Sequence, residues 1–528
     1  MWLNANNKEL QWFLESSVVY WEKNLPRPAD DAVILVEAFH QDIRVNLRNL
    51  AFANAIRKLH PARMIVFTGV EDAWRKTLWS GFDVGIVEQV AEAFGASSTI
   101  DVWDRVRRGG QAKPALDEAT LREYTDATYC RLAKVPGLPA DHEQRADYQL
   151  RRRYADGLAA FYEEQFEQHV VALVTSHVDY DQWGLAVEVA RRRGVPIIHT
   201  QQTGCMKAYG LFPETDTHTG TFRSELTRQI GAAFETQVWS RRDELHGAAE
   251  LIAWRAKVNL GRPSWWRGGA TASVDLNNPA ERARLRSSVV SRLGFDAERP
   301  VVTVFNHAVS DALGTNRELF PSLAEWFADT AAYAAEHTDA QWLFLEHPSQ
   351  ALYDSTSFFD ELAKQYRKYP HMAFRPSATL SKNALWSLTD LGVTVRGSVS
   401  NELPAYGIPV IQAGWSEWSS CGLSTVVDDA EAYWKTLEES INQIRDGVEL
   451  VTAEQVQRAR LWLWLYRSGT DVVTPLVPQW EVWPADVLLK VLRATFRHIE
   501  SDADPLYAAV ERMWTRKEPM LTRTDWSA

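Results

Sequence analysis

The chain has 528 residues, with 57 Lys and Arg against 69 Asp and Glu for a net charge of −12, and is 45% hydrophobic and 24% charged. At roughly 150 residues per domain it fills two large domains or three to four smaller ones, and its ordinary globular composition excludes disordered, collagen-like and disulfide-stapled classes. A pI near 5.6 argues against a nucleic-acid partner, which needs a basic stripe, while Cys130, Cys205 and Cys421, far apart and without CxxC spacing, predict neither a zinc knuckle nor a disulfide, and a reducing cytoplasm.

No apolar run reaches the roughly 18 residues that span a bilayer, and the N-terminus lacks the basic start and apolar block of a signal peptide. Residues 1–30 read as an amphipathic helix, with Leu10, Trp12, Phe13, Val18, Tyr20 and Trp21 as apolar positions. Without a Lys/Arg-rich polar face it is expected to pack on the body of the protein. A first Rossmann-like domain is placed at 31–260, on strands Ala32–Ala38, Met64–Thr68, Val170–Thr175 and Pro196–Thr200 alternating with helices such as Asn46–Leu59 and Gln182–Arg192. A polar, helix-prone insertion at about 105–168 separates the second and third strands, and its tail is expected to be a solvated helix with i,i+4 charge pairs. Turn residues and one basic helix mark a linker at 261–298. A second Rossmann-like domain is placed at 299–475, on strands Pro300–Asn306, Gln341–Glu346, His371–Phe374, Leu391–Val395 and Pro409–Ala413. Helices at 476–528 close the chain. The expected fold is therefore α/β, two doubly wound domains with a helical C-terminal segment.

Open parallel sheets bind ligands just beyond the carboxyl ends of their strands. In the second domain those positions hold Asn306-His307 with Ser310-Asp311, His347-Pro348-Ser349, Arg396-Gly397-Ser398-Val399-Ser400, and Gly414-Trp415-Ser416. Four polar loops converging on one edge predict a site. Backbone N–H groups at the start of the short helix Asn401–Tyr406, with the Ser398 and Ser400 hydroxyls, suit a phosphate, and Arg396 adds a charge-assisted contact. Glu402 suits sugar hydroxyls as the acidic residue of dinucleotide folds does; its structural alternative is complementing the helix dipole. In the first domain the strand ends carry Glu37, His40 and Asp42, then Ser176 to Asp181, then His199 with Gln201 and Gln202. His40, Asp42 and His177 are the candidates for orienting or deprotonating an acceptor hydroxyl. Asp179-Tyr180-Asp181 spells DxD but is read as a turn cap, and no metal is assigned. Walker A, GxGxxG, HExxH and GxSxG patterns are absent. The 23 tryptophans mostly serve packing, although aromatic faces also suit sugar rings.

The block VTVRGSVSNELPAYGIPVIQAGWSEWSSCGLST resembles the capsule polysaccharide biosynthesis family, which includes the Kdo transferases of bacterial capsules. Ser398, Glu402, Gly407, Pro409, Gly414, Gly422, Leu423 and Thr425 match that order, EHPS (Glu346–Ser349) is similar to the family's HP motif, and NHAVSDA with the following ELF matches a looser upstream element. The resemblance covers about Pro300–Thr425 and implies a GT-B glycosyltransferase. Two facing Rossmann-like domains would then hold the donor nucleotide on the second and the acceptor on the first, with no metal or cofactor required. Carried over, His347, Ser398 and Ser400 become donor-phosphate contacts and Glu402 a ribose or sugar contact; His307, Asp311, Arg396 and Gly414 complete the donor set. Leu345 stands where the family commonly has lysine, and Trp415 and Trp418 where Phe or Tyr is usual, which leaves the donor open among CMP-Kdo, other CMP-sugars and UDP- or GDP-sugars. The implied setting is bacterial and cytoplasmic, with peripheral association at the inner face of the plasma membrane as an option. The implied partners are a nucleotide-sugar and a glycan or glycolipid acceptor, with oligomeric state open. The rivals are a nucleotide-sugar 2-epimerase, a polyol-phosphate transferase and a non-catalytic carbohydrate-binding protein.

Overall fold

The computed structural model describes residues 8–28, 31–40, 43–77, 84–109, 114–201, 205–245, 247, 276, 278–313, 317–474, 476, 496–497 and 503–525. Two six-stranded sheets organise them. The first (lobe 1) comprises β1 Ala32–Glu37, β2 Arg63–Thr68, β3 Ser98–Asp101, β4 His169–Thr175, β5 Ile197–Thr200 and β6 Ala208–Leu211. Their order is β3-β2-β1-β4-β5-β6, parallel except for β6. The second (lobe 2) comprises β7 Val301–Phe305, β8 Gln341–Glu346, β9 Met372–Pro376, β10 Leu391–Thr394, β11 Val410–Gln412 and β12 Thr425–Val426. It is parallel throughout, in the order β12-β11-β10-β7-β8-β9. Counted from its own first strand, each sheet has the doubly wound order in which the winding reverses between the first and fourth strands. The reversal falls between β1 and β4 in lobe 1 and between β7 and β10 in lobe 2.

Central strands covered on both faces are apolar along their length, and β1 (AVILVE) and β7 (VVTVF) are buried at every position. Three edge strands carry no such signal: β3 is STID with an exposed first residue, β6 is AYGL and β12 is two residues long. The helical stretch expected between the second and third strands therefore follows β3 and forms the crossover to β4. Its last helix, Ala146–Gln165, is not solvated all round: it buries Ala155, Leu158, Ala159, Phe161 and Tyr162. Only its outer face carries the i,i+4 pair Arg152–Asp156 at 3.8 Å.

Within the expected linker, residues 279–293 form the helix Pro279–Leu293, capped by the Asn278 side chain and by Gly294 at φ 73°. Arg286 forks onto Asp390 at 3.0 and 2.7 Å, tying this helix to lobe 2. The N-terminal helix, Lys8–Asn24, buries Leu10, Phe13, Leu14, Tyr20 and Trp21 against lobe 1, with Trp21 and Phe94 rings 5.7 Å apart. Near the C-terminus, Leu521 N–H donates to the Ala208 carbonyl (2.9 Å) and Gly210 N–H to that of Pro519 (3.0 Å). The helix Pro505–Arg516 joins the same apolar cluster as β1 and the helix Ile43–Leu59. No helix of the described residues is long and apolar enough to cross a membrane.

The lobes share a core. One apolar cluster runs from Leu35 and Leu173 of lobe 1 through Trp462 of the helix Ala453–Trp464 to Trp418 and Leu423 of lobe 2. Trp462 is fully buried and packs its ring 6.1 Å from Phe234, 6.4 Å from Trp418 and 6.0 Å from Tyr466. Trp462→Ala is expected to cost about 3–5 kcal/mol, read as a lower urea midpoint at unchanged m-value.

Candidate functional site

The carboxyl ends of the two sheets face each other. Beyond β4, the Tyr180 hydroxyl donates to Asp311 Oδ1 of lobe 2 (2.9 Å) and accepts from the Ala312 N–H (3.0 Å). Both residues are left-handed, Tyr180 at φ 62° and Ala312 at φ 46°. Such backbone costs roughly 1–3 kcal/mol for a residue bearing a side chain and persists where surroundings over-determine it. Beside them Arg223 of lobe 1 forks onto Asp179 at 3.0 and 2.6 Å and reaches across to Glu417 at 2.6 Å. Arg317 of lobe 2 approaches Asp179 from the other side at 3.6 Å. Burial works against a charge on Asp179, but Arg223, Arg317 and His177 outweigh it and hold the carboxyl well below its ordinary range.

On the lobe 2 edge, His307 follows β7 and His347 follows β8, and pairing of those strands sets the two imidazoles parallel, 5.8 Å apart at 7°. Ser349 N–H donates to His347 Nδ1 at 3.2 Å, which places the ring proton on Nε2. The Asn306 Oδ1 accepts from the His307 N–H at 2.9 Å, while Asn306 Nδ2 and His307 Nδ1 are buried without a hydrogen-bond partner. Burial pushes both imidazole pKa values down. Arg396, His347 and Arg317 push His307 further, whereas Asp311 partly offsets the effect on His347. Near neutral pH the pair is therefore uncharged, offering N–H and N: groups.

Most other expected donor contacts are brought to this edge but occupied by the protein itself. Arg396 is buried, pairs with Glu318 and donates to the carbonyls of Asp311 and Ala312, tying the loop after β10 to the loop after β7. The fully buried Ser400 hydroxyl donates to the Gly397 carbonyl (2.9 Å) and accepts from Trp418 Nε1 (2.9 Å). Glu402, acidic in the first turn of the short helix Val399–Glu402, is buried between Lys382 Nζ (2.8 Å) and Arg467 Nη2 (3.2 Å). Asp311 gives its carboxylate to Tyr180. Gly414 is a steric requirement, because a Cβ there would overlap the Arg317 carbonyl oxygen. Ser398, half-buried just before the helical turn Val399–Glu402, stays at the edge.

In lobe 1, Glu37 is consumed at the reversal point. Its carboxylate accepts from the N–H of Phe39 (2.6 Å), the amide of Asn49 (3.2 Å), and the N–H (2.9 Å) and hydroxyl (2.6 Å) of Ser176, joining β1 to β4. His177 Nδ1 accepts from the N–H groups of Val178 and Asp179, both at 3.1 Å. Its free side is thus an Nε2–H, a donor and not a base. Asp179 and Asp181 diverge: Asp181 lies 3.4 Å from Arg151, and burial pushes its carboxyl up to about 6, against Arg151 and with Glu71. His40 is half-buried at the end of β1, its carbonyl accepting from Asn46 at 2.8 Å; Asp42 and Gln202 lie outside the described residues. Arg223 and Arg317 were invisible to the sequence reading, Arg223 lying in a helix of ordinary amphipathic pattern and Arg317 in a loop without periodicity. A separate cavity of about 230 Å³ lies at the amino ends of β10 and β11, lined by Leu391, Val410, Thr436, Glu439 and Gln443. It is on the opposite edge of lobe 2 and gathers one carboxylate.

No family model and no curated protein matches the chain. Solved structures that align with it include a UDP-GlcNAc 2-epimerase from Neisseria meningitidis bound to UDP-GlcNAc (9% identity, 82% of this chain and 99% of that one, TM-score 0.27). A glycosyltransferase from Rickettsia africae aligns at 8% identity over 90% and 100% (TM-score 0.29). KpsC, the β-Kdo 2,4 transferase of Thermosulfurimonas dismutans, aligns at 12% over 56% and 79% (TM-score 0.31). At these scores the weight rests on the strand order and facing edges described above: two Rossmann-like lobes in a GT-B-like arrangement.

The lowered pKa of His307 has a sign that can be checked. A histidine depressed in the folded state stabilises above its unfolded pKa of about 6.5, and that stability is lost as pH falls through the folded value. His307→Gln is expected to show a shallower fall in melting temperature below pH 6.5 than the wild type.

Proposed function

We propose that the chain is a nucleotide-sugar-dependent glycosyltransferase, with the nucleotide phosphate at the His307/His347 edge of lobe 2 and the acceptor against lobe 1. The observation that carries this is the parallel, uncharged imidazole pair beside two buried unpartnered groups, Asn306 Nδ2 and His307 Nδ1, at a sheet reversal that faces a second such reversal. A buried polar group without a partner costs about 1–3 kcal/mol, which a hydrogen-bonding ligand returns.

The chemistry follows from the donor's bonds. As the acceptor oxygen bonds to the anomeric carbon, the bond from that carbon to the phosphate oxygen breaks and its electron pair stays on the phosphate. Fixed N–H donors, His347 Nε2–H among them, stabilise that growing charge without reorganising. The acceptor proton leaves to a lobe 1 group. His40, at the end of β1, is the choice, since His177 presents an N–H. A glycan or glycolipid acceptor and a role in surface glycoconjugate synthesis belong to this reading.

Calorimetry with UDP, GDP, CMP and their sugars tests it. At least one is expected to bind, and His347→Ala is expected to weaken that ligand about tenfold or more, the size of one hydrogen bond to a charged group, with little change in melting temperature. Absence of binding across the panel, or equal binding by the variant, removes the reading. Incubating the bound sugar nucleotide alone and analysing the sugar separates transfer from 2-epimerisation, which needs no acceptor.

A further inference from the structure

The two histidines of this edge are neighbours in space, but their hydrogen bonds make them unequal. We infer that His307, and not His347, takes up a proton from solvent when the nucleotide phosphate binds, so that the phosphate is held by one imidazolium and one neutral N–H donor. This rests on the lobe 2 edge being a nucleotide site.

A neutral imidazole has one N–H and one lone-pair nitrogen, and it becomes a cation only when that lone pair takes a proton. In His347 the lone pair is engaged. Nδ1 accepts from the Ser349 N–H at 3.2 Å, and a proton there would set two N–H groups against each other. The turn that presents the Ser349 N–H is itself held, since the next residue, Gln350, donates its N–H to the His347 carbonyl at 3.0 Å. His177 of lobe 1 is locked in the same way, its Nδ1 accepting from two backbone N–H groups. His307 is not. Its Nδ1 is buried without a hydrogen-bond partner, and its own backbone N–H turns to the Asn306 side chain at 2.9 Å. No backbone donor opposes a second proton on this ring.

The surroundings decide when that proton is held. Burial works against a positive charge on His307, and so do Arg396 after β10, His347 after β8 and Arg317 after β7. The carboxylates of the same loop are turned elsewhere, Asp311 to the Tyr180 hydroxyl and Glu318 to Arg396. Asp311 favours a charge on His347, but the Ser349 N–H bars the proton from its Nδ1. In the free protein His307 is therefore neutral near pH 7, in a setting that is positive around it. A phosphate supplies the negative charge that this setting lacks. The parallel rings lie 5.8 Å apart, so a phosphate that meets His347 Nε2–H is within Coulombic reach of His307, and an opposite charge favours the ionised imidazole. By linkage, a proton that follows the ligand in also tightens the ligand.

Calorimetry of the full chain with UDP-glucose, GDP-mannose and CMP-sialic acid tests this, because their phosphodiesters gain and lose no proton near neutrality. Run at about pH 6.5 in buffers of different ionisation enthalpy, the wild type is expected to take up about half a proton or more per ligand bound. Its affinity is expected to fall at least about threefold from about pH 6 to about pH 8. His307→Gln is expected to abolish both effects, and His347→Gln to weaken binding while keeping the uptake, with thermal melts showing that each variant folds. A wild-type enthalpy that is the same in every buffer overturns the inference while leaving a nucleotide site intact, and needs no variant to fold. Uptake that persists in a folded His307→Gln, or is lost in a His347→Gln that still binds, places the proton elsewhere and overturns it as well. Failure of the wild type to bind any of the three overturns both this inference and the reading beneath it.

Discussion

A buried carboxylate, Asp179, with one arginine from each lobe, is the constraint on which the facing of the two sheets depends. Arg223 comes from a lobe 1 helix and Arg317 from the loop after β7, and Glu417, after β11, completes the set. Removing such charges from water costs several kcal/mol per ion, repaid only when every partner is in place. Four segments distant in the chain must therefore meet in one geometry. Tyr180 and Ala312 hold left-handed backbone at the same seam, joined by the tyrosine hydroxyl. The strain and the ion cluster sit where the strands end and their order reverses, so the rigidity serves an edge and not the core.

The same constraint decides what each polar residue is free to do. Glu37 fastens β1 to β4 and Arg396 fastens the loop after β10 to the loop after β7. Such ties leave the imidazole pair, Asn306 and Ser398 at the edge. Uncharged imidazoles suit that edge because their N–H groups donate hydrogen bonds without a buried positive charge to compensate.

How much was legible follows the range of the interactions. Central strands were read from sequence because a strand buried on both faces is apolar at every position, as AVILVE and VVTVF are. STID, AYGL and the two-residue β12 were missed because an edge strand needs only one neighbour and little apolar surface. His307 and His347 were legible through the rule that ligands sit beyond strand ends, since the residue type and the strand end are both local facts. Arg396, Ser400 and Glu402 were placed at this edge, but the groups that hold them there were not legible. Their partners, Glu318, Trp418, Lys382 and Arg467, come from other segments, and local sequence does not show which buried charge meets which. Arg317 was missed for the same reason in reverse: nothing in the string NRELF announces a carbonyl packed on Gly414 or a carboxylate waiting in the other lobe.

The most direct measurement is a crystal structure of the chain grown with UDP. The account predicts nucleotide density lying along the lobe 2 edge, with a phosphate within hydrogen-bond distance of His347 Nε2. Nucleotide density at the opposite edge, in the cavity lined by Thr436 and Gln443, or along lobe 1 without contact to His347, would contradict it.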